Sequence, residues 1–479
     1  MTARRAPSMN MVASLAATAV VTLSLAGCAI PAATPGVAPL APATLGLSTL
    51  PAPTIAASWW RDFGDPQLDR IVAAAIDGNP TLDAALARVR LAEATLGARQ
   101  ADDGPSVTLD GSASLARLSG RYTIPPPYAG TVRSVGDVHA GLAWNLDLFG
   151  RQQAAIAGAR AGADAARLDL VAARVALSGS VVQTYIDLAR AEEQARIAER
   201  TIATRRESAR LIDVRIRNRL ASQLDATAAR TLVAQAQGSL LRAQGARALA
   251  ANALAALAGQ GADYAAGIGA TRLRLDAAIP LPARLPADLL ARRADIAAAQ
   301  ARVTAATAGR QVARRAFYPN VNLAALVGLQ AIGLGNLLSL DAGTANVGPA
   351  IHLPLFDNGR LKAGLAGATA DLDVATADYN ARVIGAVREA ADAIALIGNL
   401  TDQRAQVAAV VRGFGDTDRL NAIRVASGLG SRLDLIDNDI RLLDARQAQA
   451  NLAADAARQR VALVMALGGG FSTAQENQP

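Results

Sequence analysis

The chain has 479 residues, of which 52% are apolar, 3% are aromatic and 18% are charged, and its formal net charge is +8. With so few aromatic residues, the chain lacks many of the large side chains that fill a conventional hydrophobic core. The abundant alanine favours long helices that pack closely over small side chains. The single cysteine excludes a disulfide framework, and no metalloprotease, phosphate-loop or serine-hydrolase motif occurs. The arginines are spread along the predicted helices, as expected for solvated faces. The sequence therefore predicts no enzyme, no cofactor, no metal site and no nucleic-acid partner.

The amino terminus, residues 1–27, has the pattern of a secretory signal peptide. Arg4 and Arg5 precede an apolar run that is too short to span a membrane and that ends in small residues directly before Cys28. The residues LAGC resemble the bacterial lipobox, so we expect Cys28 to be the lipidated first residue of the mature chain. The alternative is an ordinary signal peptide with an incidental cysteine. In bacterial lipoproteins, an aspartate directly after the lipidated cysteine favours retention in the inner membrane. This chain has Ala29 at that position, which favours export to the outer membrane.

Residues 28–65 follow as a tether rich in proline, alanine and threonine, which ends in a segment that we expect to form part of a collar. The remainder contains two similar halves, repeat 1 at residues 66–261 and repeat 2 at residues 286–467. Three pairs of motifs recur in the same order at nearly constant spacing. They are residues 105–109 with 319–323, Gly150-Arg151 with Gly359-Arg360, and residues 220–225 with 429–434.

Each half is predicted to contain a helix, two strands, a very long helix, a tight turn and a last helix. In repeat 1 these elements are a helix at 66–101, strands at about 105–118 and 133–147, a helix at 150–213, a turn at 217–223 and a helix at 224–259. In repeat 2 they are a helix at 286–316, strands at about 319–331 and 345–354, a helix at 358–425, a turn at 426–431 and a helix at 432–467. Residues 262–285 form an equatorial connector and residues 468–479 a C-terminal tail, and both are expected to contribute to the collar.

The predicted strands alternate between apolar and polar residues, as transmembrane β-strands do. A soluble sandwich is the alternative, but no other predicted segment supplies a second sheet. Four strands cannot close a barrel, and an open sheet edge is not tolerated in lipid. We therefore expect several copies to share one barrel, with eight strands from two copies or twelve from three. The long helices would then project away from the membrane, and Gly150 and Gly359 would allow the bend between strand and helix.

Taken together, these motifs resemble those of the TolC-like outer membrane factors, in particular the lipoprotein branch called the NodT family. The resemblance spans nearly the whole chain. The motifs that carry it are LAGC before Cys28, Trp59-Trp60 with Phe63 and Asp65-Pro66, WNLDLFGR at 144–151, LPADLLARRADI at 285–296, FYPN at 317–320, LPLFDNGRLKA at 353–363 and ALGGG at 466–470. Ala294 departs from the family, which usually has proline there.

The resemblance implies an α+β membrane protein. Three copies would form a 12-stranded transmembrane β-barrel, with four strands per chain, continuous with a periplasmic α-helical barrel and an equatorial collar. It also implies a homotrimer in the outer membrane that works with a periplasmic adaptor protein and an inner-membrane pump to export small molecules. Two alternatives stay open: the same fold serving type I protein secretion, and a lipid-anchored coiled-coil structural protein without a channel.

The resemblance further implies where a gate and a docking surface would lie. Acidic residues just past the second turn, Asp434 and Asp437, match the family's periplasmic gate, although Asp434 could simply charge the first turn of its helix. The tips of the two helical hairpins would contact the adaptor through Leu220, Ser222, Gly428, Leu429 and Ser431. In repeat 1, Arg219 stands where repeat 2 has Gly428, and this departure leaves the contact of the first tip open.

Overall fold

A computed structural model describes residues 36–40, 45–46, 55–121, 123–275, 292–354, 356 and 358–471. Its helices are α1 (Pro66–Gly78), α2 (Pro80–Ala101), α3 (Arg151–Arg217), α4 (Gln223–Leu257), α5 (Ala262–Ala266), α6 (Ala294–Arg315), α7 (Asn358–Ala426) and α8 (Arg432–Ala466). Its strands are β1 (Ser106–Arg117), β2 (Val132–Leu146), β3 (Asn320–Ile332) and β4 (Gly343–His352). Helices α3 and α7 have 67 and 69 residues, and each is therefore about 100 Å long.

The predicted order of elements recurs in the structure, but the prediction of a single helix over residues 66–101 is wrong. The chain leaves the helical conformation at Asn79, which precedes Pro80 and is extended. Proline disfavours helical backbone in the residue before it. The Asn79 side chain stabilises the break, because its oxygen accepts from the Thr81 backbone N–H and its amide donates to the Leu257 carbonyl.

The chain folds into two compact units. The first includes Val89–Ala165 and Ala299–Tyr379 and therefore contains all four strands described above. The second includes Leu40–Arg88, Ala166–Ala298 and Asn380–Pro479 and contains the main hydrophobic core. Among the described residues, none of the helices combines the length and the apolar composition that a membrane-spanning helix requires.

The sheet of the first unit has the strand order β1-β2-β3-β4, and all neighbouring strands are antiparallel. Residues directly opposite each other share a face of a sheet, and the register aligns Val107 with Leu142, Leu142 with Ala325, and Ala325 with Val347. The other face carries mostly polar residues. Examples are Thr108, Asp110, Ser112, His139, Asn145, Asn322, Gln330 and Asn346. The predicted two-faced strands thus assemble into one two-faced sheet.

The apolar face of this sheet is open. Val107, Leu109 and Leu115 are 71%, 76% and 77% exposed, and Val347 on the opposite edge strand is 76% exposed. Within the described residues no second sheet covers this face, and the outer edges of β1 and β4 have no paired strand. A sheet in this state leaves both apolar surface and backbone hydrogen-bonding groups without partners, which a folded protein avoids by association.

The motif WNLDLFGR contains the end of β2 and the start of α3. Gly150 adopts a φ of +75°, which favours glycine, and its N–H donates to the Asp147 carbonyl. The Asp147 carboxylate then accepts from the backbone N–H of Gln153 at 2.8 Å and satisfies one free donor at the helix start. The expectation for Gly359 is wrong, because this residue lies inside the first turn of α7 with ordinary helical backbone.

The core of the second unit is built where a 3-10 turn, Trp59–Phe63, and α1 pack on α3, α4 and α8. Asp65 caps α1 by accepting from the backbone N–H of Gln67 and is only 4% exposed. The second carboxylate oxygen of Asp65 accepts from the Tyr185 hydroxyl at 2.6 Å and from the Arg272 N–H at 2.7 Å. Burial, followed by the hydrogen bond to Asp65, raises the pKa of Tyr185 well above its ordinary value.

Candidate functional site

The two tips that join α3 to α4 and α7 to α8 have the same backbone geometry. At the first tip, Leu220 N–H donates to the Arg215 carbonyl at 2.8 Å and Arg219 N–H donates to the Ile216 carbonyl. At the second tip, the same two bonds run from Leu429 to Arg424 and from Gly428 to Val425. This pair of bonds is the Schellman motif, in which the residue after the helix adopts left-handed backbone.

That left-handed position is filled differently in the two tips. Gly428 has a φ of +74°, which costs glycine nothing, whereas Arg219 has a φ of +58° and is the one non-glycine residue with positive φ among those that the structure describes. The departure noted in the sequence therefore does not change the fold of the tip. It places a cationic side chain, and some backbone strain, at the first tip alone.

Each tip presents one leucine and ends in a serine that starts the next helix. Leu220 is 67% exposed and Leu429 is 73% exposed, although both are apolar. The Ser222 hydroxyl accepts from the N–H of Asp225, and the Ser431 hydroxyl accepts from the N–H of Leu433 at 3.1 Å. Serine is a preferred residue at this position, because its oxygen satisfies a free helix donor. The predicted contact residues thus lie together on two matching turns, while their binding role stays a prediction.

The first carboxylate after each tip has a different environment in the two repeats. Asp225 completes a capping box, since its carboxylate accepts from the backbone N–H and the hydroxyl of Ser222. The backbone bond first, and then the hydroxyl bond, hold the pKa of Asp225 below its ordinary value. Asp434 aligns with Asp225 and is likewise exposed, but its carboxylate forms no hydrogen bond or ion pair with another residue that the structure describes. The capping role falls to Ser431.

Asp437 lies one turn further along α8 and is also exposed. Its carboxylate is 2.9 Å from the guanidinium of Arg441, and both side chains are more than half exposed, at 61% and 64%. An exposed pair of this kind contributes little to stability, so Asp437 is not needed to hold the helix. Arg441 was not among the predicted site residues, although its spacing of four residues from Asp437 is a signal for such a pair.

A buried asparagine next to these aspartates was also missed. Asn438 is 6% exposed, and its side-chain amide donates to the Phe414 carbonyl of α7 at 3.0 Å and lies 3.4 Å from the Asp418 carboxylate. These bonds join α8 to α7 beside the two aspartates, which are themselves exposed. Polar residues in the middle of a helix usually lie on its solvent-exposed face. Nothing in the sequence alone therefore indicated that Asn438 is buried.

The predicted lipidation residue, Cys28, lies outside the described residues, as does the signal peptide. The described residues contain no group of three or more metal-ligating side chains. His139 and His352 lie on β2 and β4, at positions of the polar face of the sheet.

Comparisons with known proteins agree with this geometry. The fusaric acid resistance protein FusA of Burkholderia cepacia is 36% identical over 66% of this chain and 60% of FusA, so the chain spans less than two thirds of that relative. The solvent efflux pump outer membrane protein SrpC of Pseudomonas putida is 31% identical over 86% of this chain and 87% of SrpC. The crystal structure of the outer membrane protein VceC from Vibrio cholerae has a TM-score of 0.80 at 31% identity, over 87% of this chain and 100% of VceC.

Two matched helical hairpins and one two-faced antiparallel sheet define the class of outer membrane channels with long helices. Within that class, the chain belongs to the outer membrane efflux protein family, whose model matches residues 71–260 and 285–469. The two matched segments correspond to an internal tandem repeat. The predicted family, the fold class and the outer membrane location are therefore confirmed. Members of this family are channels and not enzymes.

Proposed function

We propose that three copies of this chain form the outer membrane duct of a tripartite efflux system. The observation that carries this proposal is the open sheet, with an apolar face more than 70% exposed at Val107, Leu109 and Leu115 and with two unpaired edges. Lipid would cover the apolar face, and neighbouring copies would pair the edges, so that three chains complete twelve strands. As a duct, the chain performs no catalysis. Lipidation of Cys28 anchors each copy in the outer membrane.

The partners are a periplasmic adaptor protein and an inner-membrane pump. The two tips support this assignment, because Leu220 and Leu429 are exposed apolar side chains on rigid turns. A leucine held on a fixed turn loses little conformational entropy when a partner covers it. The adaptor would therefore contact six tips of the trimer through Leu220 and Ser222 and through Gly428, Leu429 and Ser431.

The gate of the duct consists of Asp434 and Asp437. Threefold symmetry brings six carboxylates from α8 into one ring, and a ring of carboxylates in a narrow pore favours cations. The comparison between repeats supports this role, since the carboxylate of Asp225 is bound by its own helix cap and that of Asp434 is not. In repeat 1, Ala228 takes the place of Asp437, so only the second hairpin carries the pair.

The cargo is a class of small toxic organic molecules. Relatives are named for resistance to fusaric acid and for efflux of solvents, which are small organic compounds. The pump selects the cargo, and the duct only has to pass it. A strain that lacks this chain should therefore lose resistance to several unrelated small molecules at once, and the wild-type chain should restore it.

A tip variant tests the role of the partners in the same strain. Leu220→Asp with Leu429→Asp places charge where the adaptor should bury apolar surface, and we expect loss of both resistance and adaptor pull-down. Leu220→Met with Leu429→Met is the matched control, because it keeps apolar contact, and it should behave as wild type. Full resistance in the aspartate variant, with normal trimer migration on gels, would argue against docking at the tips.

A further inference from the structure

Arginines from three helices and one loop of the second unit line a single cavity. The cavity has a volume of about 940 Å³ and lies between α3, α7, α8 and the segment at residues 271–275. Its arginines are Arg190, Arg196, Arg200, Arg272, Arg404, Arg446 and Arg460. Three of these arginines lie close together on α3, but the others come from distant parts of the sequence, so the sequence alone gave no sign of the cluster.

Few carboxylates balance these arginines. Among the described residues, Glu193 is the only acidic residue that lines the cavity, and its carboxylate is already paired with Arg196. Asp455 is paired with Arg190 at 2.5 Å. Arg200, Arg404 and Arg446 have neither a hydrogen bond nor an ion pair to another residue that the structure describes. Within the part of the chain that the structure describes, the cavity therefore carries uncompensated positive charge.

Two further observations show that the described residues leave the arginines of this cavity incompletely satisfied. Arg404 and Arg446 are half-buried, so bulk solvent screens their mutual repulsion less than it would at an open surface. The Nε–H group of Arg190 is buried and has no acceptor in the described part of the chain. A buried donor without an acceptor costs stability, so the residues that the structure describes do not fully satisfy the Arg190 side chain.

We propose that this cavity binds a small polyanion that carries several closely spaced phosphate or carboxylate groups. Guanidinium groups bind such oxygens in pairs, with a planar fork of donors that matches their geometry. The volume suits a small organic or inorganic molecule and exceeds what one monovalent ion needs. Thr271, Thr401 and Gln449 also line the cavity and can donate to anionic oxygens. This role is separate from the gate and the tips, which lie at other residues.

Isothermal titration of the purified full-length protein in detergent, with inorganic pyrophosphate and with citrate as probes, tests the proposal. We expect wild type to bind at least one probe, with weaker binding at higher salt. Tighter binding of pyrophosphate would indicate a phosphate ligand, and tighter binding of citrate would indicate a carboxylate ligand. The variant Arg404→Gln with Arg446→Gln should weaken binding by about tenfold or more, since charge-assisted bonds are lost.

The control Arg412→Gln with Arg419→Gln removes the same charge from exposed positions of α7 outside the cavity, and it should bind within about twofold of wild type. Arg200→Gln changes an exposed residue of the cavity and should weaken binding severalfold. This variant tests the proposal even if the variant Arg404→Gln with Arg446→Gln does not fold. Absence of binding to either probe in wild type would overturn the proposal. So would equal weakening in the control and the cavity variants.

Discussion

Arg219 and Gly428 occupy equivalent positions in the two tips, and both adopt left-handed backbone. For a residue with a Cβ atom this conformation costs roughly 1–2 kcal/mol, because Cβ approaches the following carbonyl oxygen. Repeat 1 carries this cost at a position that repeat 2 fills with glycine. The sequence showed the departure, but only the structure shows that the turn is the same in both tips.

Replacing Arg219 with glycine should therefore stabilise the first tip by about 1 kcal/mol. The expected result is a higher midpoint of thermal unfolding for the purified protein, or slower hydrogen exchange in the last turn of α3. The matched change Gly428→Ala adds the same strain to the second tip and should lower stability by a similar amount. If Arg219→Gly is destabilising, the arginine side chain makes a contact that outweighs its backbone strain.

At the scale of elements, the packing of the 3-10 turn and α1 on α3 depends on one buried polar group. The Asp65 carboxylate accepts from the backbone N–H groups of Gln67 and Arg272 and from the hydroxyl of Tyr185, which is fully buried. Three elements are thus joined at one carboxylate. Removing a single donor leaves a buried acceptor partly unsatisfied, which costs about 1–3 kcal/mol.

Tyr185→Phe should lower the free energy of unfolding by about 1–3 kcal/mol at neutral pH. Tyr264→Phe is the control, because Tyr264 packs against the same core but its hydroxyl forms no hydrogen bond to a described residue. The pKa of Tyr185 is raised in the folded state, so its contribution is complete below the ordinary tyrosine value of about 10 and declines above it. Calorimetry at neutral and alkaline pH should show the difference between wild type and variant shrink as pH rises. Equal stability of wild type and Tyr185→Phe at neutral pH would contradict this account.

Much of the element pattern was predictable because the repeat exposes it twice. The alternation of Val107 and Leu109 with polar neighbours gave the strand faces, and the paired motifs gave the order of elements. The break at Asn79 was missed, although an Asn-Pro pair is a known signal for the end of a helix. Gly359 was assigned a bend by analogy with Gly150, but glycine allows positive φ without requiring it.

At the scale of the whole molecule, the sequence predicted the family and the candidate gate but not the arginine cavity. Motifs such as WNLDLFGR and ALGGG consist of consecutive residues, so they can be recognised from the sequence without knowing how the chain packs. Arg200, Arg404 and Arg446 lie on three separate helices, and only the fold brings them to one cavity. Similarly, Asp225 and Asp434 align in sequence, and only the hydrogen bonds show that one is a capping residue and the other is not.

The central claim is that the chain forms an export duct closed by Asp434 and Asp437, and single-channel conductance in a planar lipid bilayer tests it most directly. Wild-type protein should give small, uniform, cation-selective steps. Asp434→Ala with Asp437→Ala should give larger steps with weaker cation selectivity, because the ring of carboxylates is lost. Asp225→Ala is the control, since that carboxylate is part of a helix cap, and its conductance should match wild type. The account is contradicted if the double variant has the same conductance and selectivity as wild type, or if folded wild-type trimers produce no channels at all.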